Sequence, residues 1–141
     1  MDPGLDLQAY GRRLYERRAS GVVAPLAELA IGDWRPEPNH CHANCSVARD
    51  HVPELEAVRG WLYFTFGHLL GYVRFTAHSV VRSRDRQLHD ITPTPAFGRY
   101  PFIPAEEDEE TFHWLVENVQ HLDYYPVTGQ TIAVGYGTGT L

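Results

Sequence analysis

Three residues of this chain are chemically matched: Cys41 in Asn39-His40-Cys41-His42-Ala43-Asn44-Cys45, His78 in Ala77-His78-Ser79-Val80-Val81, and Asp90 in Leu88-His89-Asp90-Ile91-Thr92-Pro93. A thiolate is a strong nucleophile, an imidazole within hydrogen-bond reach can take its proton, and a carboxylate can hold that imidazole in the useful tautomer. Taken in order they form a candidate Cys-His-Asp triad. The first of these runs also carries a competing chemistry. His40, Cys41, His42 and Cys45 are zinc-ligand types within six residues, although on a helix only Cys41 and Cys45 share a face. His78, His89 or Asp90 would complete such a site.

The chemistry depends on where the chain places these side chains. Residues 5–19 set Leu5, Leu7, Tyr10, Leu14 and Tyr15 among charged residues, which predicts an amphipathic helix ended by Ser20-Gly21. Residues 25–31 suit a second, short helical turn, and the prolines at 36 and 38 make 32–38 an irregular approach to Cys41. Asn39 is then expected to cap a helix running to about Arg49. A cysteine in the first turn of a helix meets unpaired backbone N–H groups and the positive end of the helix dipole, so its thiolate is favoured. That singles out Cys41 as nucleophile and leaves Cys45, a turn further in, as a small buried residue.

Residues 58–66, 72–82 and 88–92 are apolar, aromatic-rich runs separated by turn signals and predict a three-stranded antiparallel meander. In the second run Val73, Phe75, Ala77 and Val81 form the apolar stripe, which puts His78 on the other face with Thr76 and Val80. Directly opposed on neighbouring strands, His78 and Asp90 would have Cβ atoms within about 5.5 Å. A slip of one residue would separate them. His89 should face away from its neighbour Asp90, whose carboxylate has turn capping as its alternative role. Prolines at 93, 95, 101 and 104 predict an extended segment crossing the sheet, and the acidic run at 106–110 opens a helix to about Gln120. Thr131 to Val134 suits a last strand with a frayed tail; Gly135, Gly137 and Gly139 lack the strand-loop-helix setting of a phosphate loop.

With 141 residues, 43% hydrophobic and 21% charged, the chain reads as a single globular domain over 1–141. Its parts are a helical lead-in at 1–32, a candidate catalytic core at 39–93, and a C-terminal helix and tail at 94–141. A net charge of -6 argues against a nucleic-acid partner, and Arg82-Ser83-Arg84-Asp85-Arg86 reads as a solvated turn. No run approaches the roughly 20 apolar residues of a membrane span, and the first residues lack a secretion signal, so the expected location is cytoplasmic. The two cysteines, four apart, are poorly placed to pair with each other.

The trio resembles the papain-like superfamily, in which a helix-borne cysteine precedes a strand-borne histidine and then an acidic or amide residue on a neighbouring strand. Ala77-His78-Ser79-Val80-Val81 and Leu88-His89-Asp90-Ile91-Thr92-Pro93 look like the histidine and aspartate strands of transglutaminases, over residues 39–93. The aromatic residue that follows the cysteine in that family is here His42. Cys41-His42-Ala43-Asn44, Arg59-Gly60-Trp61 and the two strand motifs also resemble small bacterial proteins, a likeness that carries no activity with it. The resemblance implies an α+β, papain-like fold, with N-terminal helices and a Cys-bearing helix packed on an antiparallel sheet. It implies a thiol-dependent hydrolase or acyl transferase acting on an amide or peptide bond, its substrate a peptide, a protein or a small amide, with no cofactor. Cys41 would attack, His78 would act as base and then acid, and Asp90 would orient His78. The oxyanion would meet the backbone N–H of Cys41 and one further donor from Asn39 or Asn44.

Two other classes stand beside this one. The His40, Cys41, His42 and Cys45 group makes the chain a zinc protein in the first. In the second, Trp61, Tyr63, Phe64, Phe66, Tyr72 and Phe75 present a groove to a protein partner without catalysis.

Overall fold

A six-stranded antiparallel sheet carries the chain in a computed structural model that describes residues 2–65, 67–93 and 99–135. Three α-helices accompany it: α1 (Leu7–Glu16), α2 (Cys41–His51) and α3 (Glu109–Asn118). The strands are β1 (Glu56–Phe64), β2 (Val73–Arg82), β3 (Leu88–His89), β4 (Phe102–Pro104), β5 (His121–Tyr125) and β6 (Gln130–Val134). They lie in the order β4-β1-β2-β5-β6, with β3 added to β2. Among the described residues no helix is long and apolar enough to cross a membrane. Phe66, Pro95, and Gly137 and Gly139 with the rest of the expected frayed tail lie outside the described residues.

Each helix has a local cause. Asp6 caps α1 by accepting from the N–H groups of Gln8 and Ala9, and Asp108 caps α3 by accepting from that of Thr111. In α1 the buried positions are Gly11 and Leu14. A Cβ on Gly11 would lie 2.2 Å from Thr131 Oγ1, so glycine lets α1 lie flat on β6. There the Gln8 carboxamide donates to Thr131 O at 2.7 Å and accepts from Thr131 N at 2.8 Å, which covers a stretch of the outer strand's edge.

Strand alternation sorts the apolar residues onto two faces. Val73 and Phe75 of β2 join Trp61, Ile103, Leu122 and Tyr124 in the main core, closed by Leu14 of α1 and by Phe112 and Leu115 of α3. The opposite face is also covered, since Val80 packs with Val58, Phe102 and Ala24. Helix α2 docks through Cys45 and Ala48 against Val81 and Ile91, with Leu55 and Ala57 at the margin.

The expected meander is present, since β1 pairs with β2 and β2 with β3, all antiparallel. It is half of the sheet. β4 joins the free edge of β1, and the hairpin of β5 and β6 adds to β2. The expected helical turn at 25–31 does not form. Asp90 N donates to Pro25 O at 2.8 Å and Ala27 N donates to Asp90 O at 2.9 Å, so this segment pairs as a parallel bridge at Leu26. Backbone pairing with a distant residue outweighs the good helical propensity of Leu26 to Ala30 there. The cap of α2 also differs from expectation: Asn39 takes a left-handed conformation with φ 64°, and His40 occupies the N-cap with no side-chain cap bond.

Candidate active site

One edge of β2 is divided between two partners. β5 pairs with Val73 to Thr76 and β3 with Val81 and Arg82, so the stretch between them meets neither strand in register. His78 and Ser79 sit in that stretch and point to opposite faces. The first turn of α2 engages both. His42 Nδ1 lies 2.6 Å from Ser79 Oγ, and Cys41 and His78 interact electrostatically. A helix turn can reach both faces of a strand only where no neighbouring strand covers the edge.

Asp90 sits behind His78, but not directly across from it. The pairs Val81↔His89 and Arg82↔Leu88 continue to place Asp90 opposite Val80, two residues from His78. A shift of two preserves the face where a shift of one would reverse it. The carboxylate meets the ring diagonally, with Asp90 Oδ2 2.8 Å from His78 Nε2. Its other oxygen accepts from Thr92 N at 3.1 Å. Turn capping and contact with the histidine, alternatives on the sequence, therefore go to different oxygens of one carboxylate. Opposite His78 in β1 is Gly60, where a Cβ would lie 2.3 Å from Ile103 O and 2.6 Å from Phe102 Cζ. The missing side chain lets Phe102 come edge-on to the His78 ring, centroids 6.4 Å apart.

Since Nε2 of His78 is held by Asp90, Nδ1 is the nitrogen left for sulfur. Burial alone would raise the Cys41 thiol, but hydrogen bonds from His42 and His78 and the charge of His78 bring it down to about 5. Burial would depress His78, but the hydrogen bond to Asp90 and then the contact with Cys41 lift it to about 9. Each group thus shifts the other towards its charged form, which favours a thiolate and imidazolium pair. Cys45 goes the other way: fully buried and beside the charged sulfur of Cys41, it is pushed up to about 12. The two thiols are thus shifted in opposite directions.

The remaining expected site residues are placed as follows. Asn44 is 3% exposed and acts as a staple. Its Nδ2 donates to Glu37 O at 2.9 Å and Thr92 Oγ1 at 3.0 Å, and its Oδ1 accepts from Glu37 N at 3.1 Å. Both amide protons are thus engaged, so the amide ties the approach to α2 to the residue after Ile91 and offers no donor to an oxyanion. Asn39 lies exposed ahead of the helix. His40 is exposed and pairs with Glu37 at 3.5 Å. Among the described residues no three His, Cys, Asp or Glu side chains group as a metal site requires. The N–H groups of Cys41, His42 and Ala43 precede the first intrahelical bond, Asn44 N to His40 O at 2.8 Å.

Sequence reasoning gave no role to the polar group under the first turn of α2. Arg59, paired across the strands with Ser79, has a side chain 5% exposed. It donates to Ser79 Oγ at 3.1 Å and His42 O at 3.0 Å, and to Ser46 Oγ at 2.7 Å and Glu109 Oε1 at 3.0 Å. An arginine within an apolar strand was the available signal, because a buried cation requires partners. No protein-family model matches the chain, and no curated protein or solved structure matches it.

Proposed function

We propose that this protein is a cysteine hydrolase or acyl transferase of papain-like layout, acting on an amide or peptide bond through Cys41, His78 and Asp90. The observation that carries the reading is that the buried His78 imidazole is held by the Asp90 carboxylate at 2.8 Å while it and Cys41 each draw the other towards the charged form. The thiolate of Cys41 attacks the carbonyl carbon, forming a C–S bond and moving the carbonyl π pair onto oxygen. The unpaired N–H groups at the start of α2, that of Cys41 first among them, are the donors for this oxyanion. When the intermediate collapses the C–N bond breaks, and the leaving nitrogen takes the proton from His78 Nδ1. Neutral His78 then accepts a proton from water or an acceptor amine as that group attacks the thioester. The C–S bond breaks, and the thiolate and imidazolium are restored.

The test is a stopped-flow reaction with p-nitrophenyl acetate followed by mass spectrometry. An acyl-enzyme mechanism gives a burst approaching about one equivalent of nitrophenolate, with the acetyl group on Cys41. Cys41→Ala abolishes the burst, and His78→Ala slows it by about 10²- to 10⁴-fold. Acetylation spread over lysines, with no dependence on Cys41, would sink the reading.

A further inference from the structure

The triad leaves one ring at the sulfur without a task. His42, which follows Cys41 in the first turn of α2, lowers the Cys41 thiol as His78 does, but the groups behind the two rings have opposite character. Behind His78 is a carboxylate; behind His42 are a hydroxyl and a guanidinium.

We infer, on the thiol-site reading above, that His42 is a second catalytic histidine, held by Ser79 and Arg59 as its Nε2–H tautomer. In that form it donates a hydrogen bond to the Cys41 sulfur and does not take the sulfur's proton. The assignment follows from counting protons. Arginine has donors only, so at 3.1 Å Ser79 Oγ accepts from Arg59 Nη1. The hydroxyl proton of Ser79 is then directed to its other close partner, His42 Nδ1 at 2.6 Å. A ring nitrogen that accepts carries no proton, so the ring proton lies on Nε2, the nitrogen left for sulfur. A proton on Nδ1 would instead make Ser79 Oγ accept from both Arg59 and His42 and leave its buried hydroxyl proton without either of them as acceptor.

The ring is also fixed in place. Its edge-on contact with Phe112 has centroids 5.6 Å apart and planes at 69°. Arg59 Nη1 clamps the carbonyl of His42 itself, and Glu109 and Ser46 hold the other end of the guanidinium. The two histidines therefore divide the work. His78 carries the mobile proton. His42 stabilises negative charge on sulfur, and Ser79 and Arg59 are positioning residues that act through it.

The experiment measures the pH dependence of Cys41 alkylation by iodoacetamide in the full chain, for the native protein and for His42→Phe, His42→Gln and Ser79→Ala. His42→Phe is expected to raise the midpoint by about one unit, slowing alkylation at pH 6 about tenfold. His42→Gln, whose carboxamide can still donate, should recover part of that loss, and Ser79→Ala should shift the midpoint the same way by less. A long-range ¹H–¹⁵N spectrum of histidine-labelled native protein at pH 7.5, assigned through bonds, should show His42 protonated at Nε2 only. A low native midpoint that neither His42→Phe nor Ser79→Ala moves would overturn the role of His42 and leave the triad intact. A native midpoint at the ordinary thiol value would overturn the triad reading itself. Should His42→Phe fail to fold, Ser79→Ala and the spectrum decide, and an Nδ1–H tautomer overturns the inference.

Discussion

At the scale of single residues, the site is a charge pair whose pH range follows from its neighbours. Cys41 is lowered to about 5 and His78 raised to about 9, so the thiolate and imidazolium coexist between those limits. Alkylation of Cys41 is expected to rise through about pH 5, hold level, and show a second inflection near 9 as His78 loses its proton. The hydrogen bond to Asp90 is the largest influence raising His78. Asp90→Asn should therefore move the upper inflection down towards the ordinary histidine range, followed by titrating the His78 ring signals. An unmoved inflection would mean that Asp90 does not hold the imidazolium. Cys45 should stay unmodified under native conditions, because burial and the neighbouring thiolate keep it protonated.

Among the elements, α2 is held at its first turn by polar fasteners and along its length by apolar contact. Glu109 at the start of α3 binds Arg49 of α2 and Arg59 of β1, each at 3.0 Å. Burial would raise the Glu109 carboxyl, but the two guanidinium groups hold it at about 2. A carboxylate lowered in the folded state stabilises fully above its ordinary value of 4.5, and that contribution is lost as pH falls from there through about 2. Glu109→Gln is expected to lower unfolding stability at pH 7 by about 1–2 kcal/mol and to flatten the acid limb of urea denaturation. The smaller share comes from the charge, since the Glu109 side chain is 42% exposed. The weaker hydrogen bonds that a neutral carboxamide offers Arg49 and the 5%-exposed Arg59 account for the rest. Asn44→Ala removes a buried staple and should cost about 1–3 kcal/mol, with faster amide exchange at Glu37. An unchanged exchange rate there would show that the approach segment is held by other contacts.

For the whole molecule, β1 and β2 are the frame to which every part of the site is attached. Gly60 is the point where β1, β4 and the back of His78 meet. Because its missing Cβ would lie 2.3 Å from the backbone of Ile103, Gly60→Ala should cost about 2–3 kcal/mol in urea unfolding. A neutral result would show that β4 can shift away at little cost. Much of this frame was legible in advance, because β1, β2 and the helix of the acidic run follow simple periodicities. The pairing of 25–27 with Asp90, the β4 edge and the β5 strand were not, because each depends on partners distant in sequence. Phe102 to Pro104 reads locally as a proline-flanked crossing, and only the groove at Gly60 makes it a strand.

By itself the sequence determined the residue types of the proposed triad, the placement of Cys41 in a first helical turn, and the alternation that takes His78 off the main apolar stripe. These are local properties, set by propensity and by the period of a strand. The tertiary structure alone decided that Asp90 meets His78 across a two-residue offset and that Asn44 is a staple. It also decided that His42, Ser79 and Arg59 form one hydrogen-bonded group under the first turn of α2. Register and the burial of a cation are settled by which chain segments compete for one sheet edge, and a one-dimensional pattern does not contain that competition.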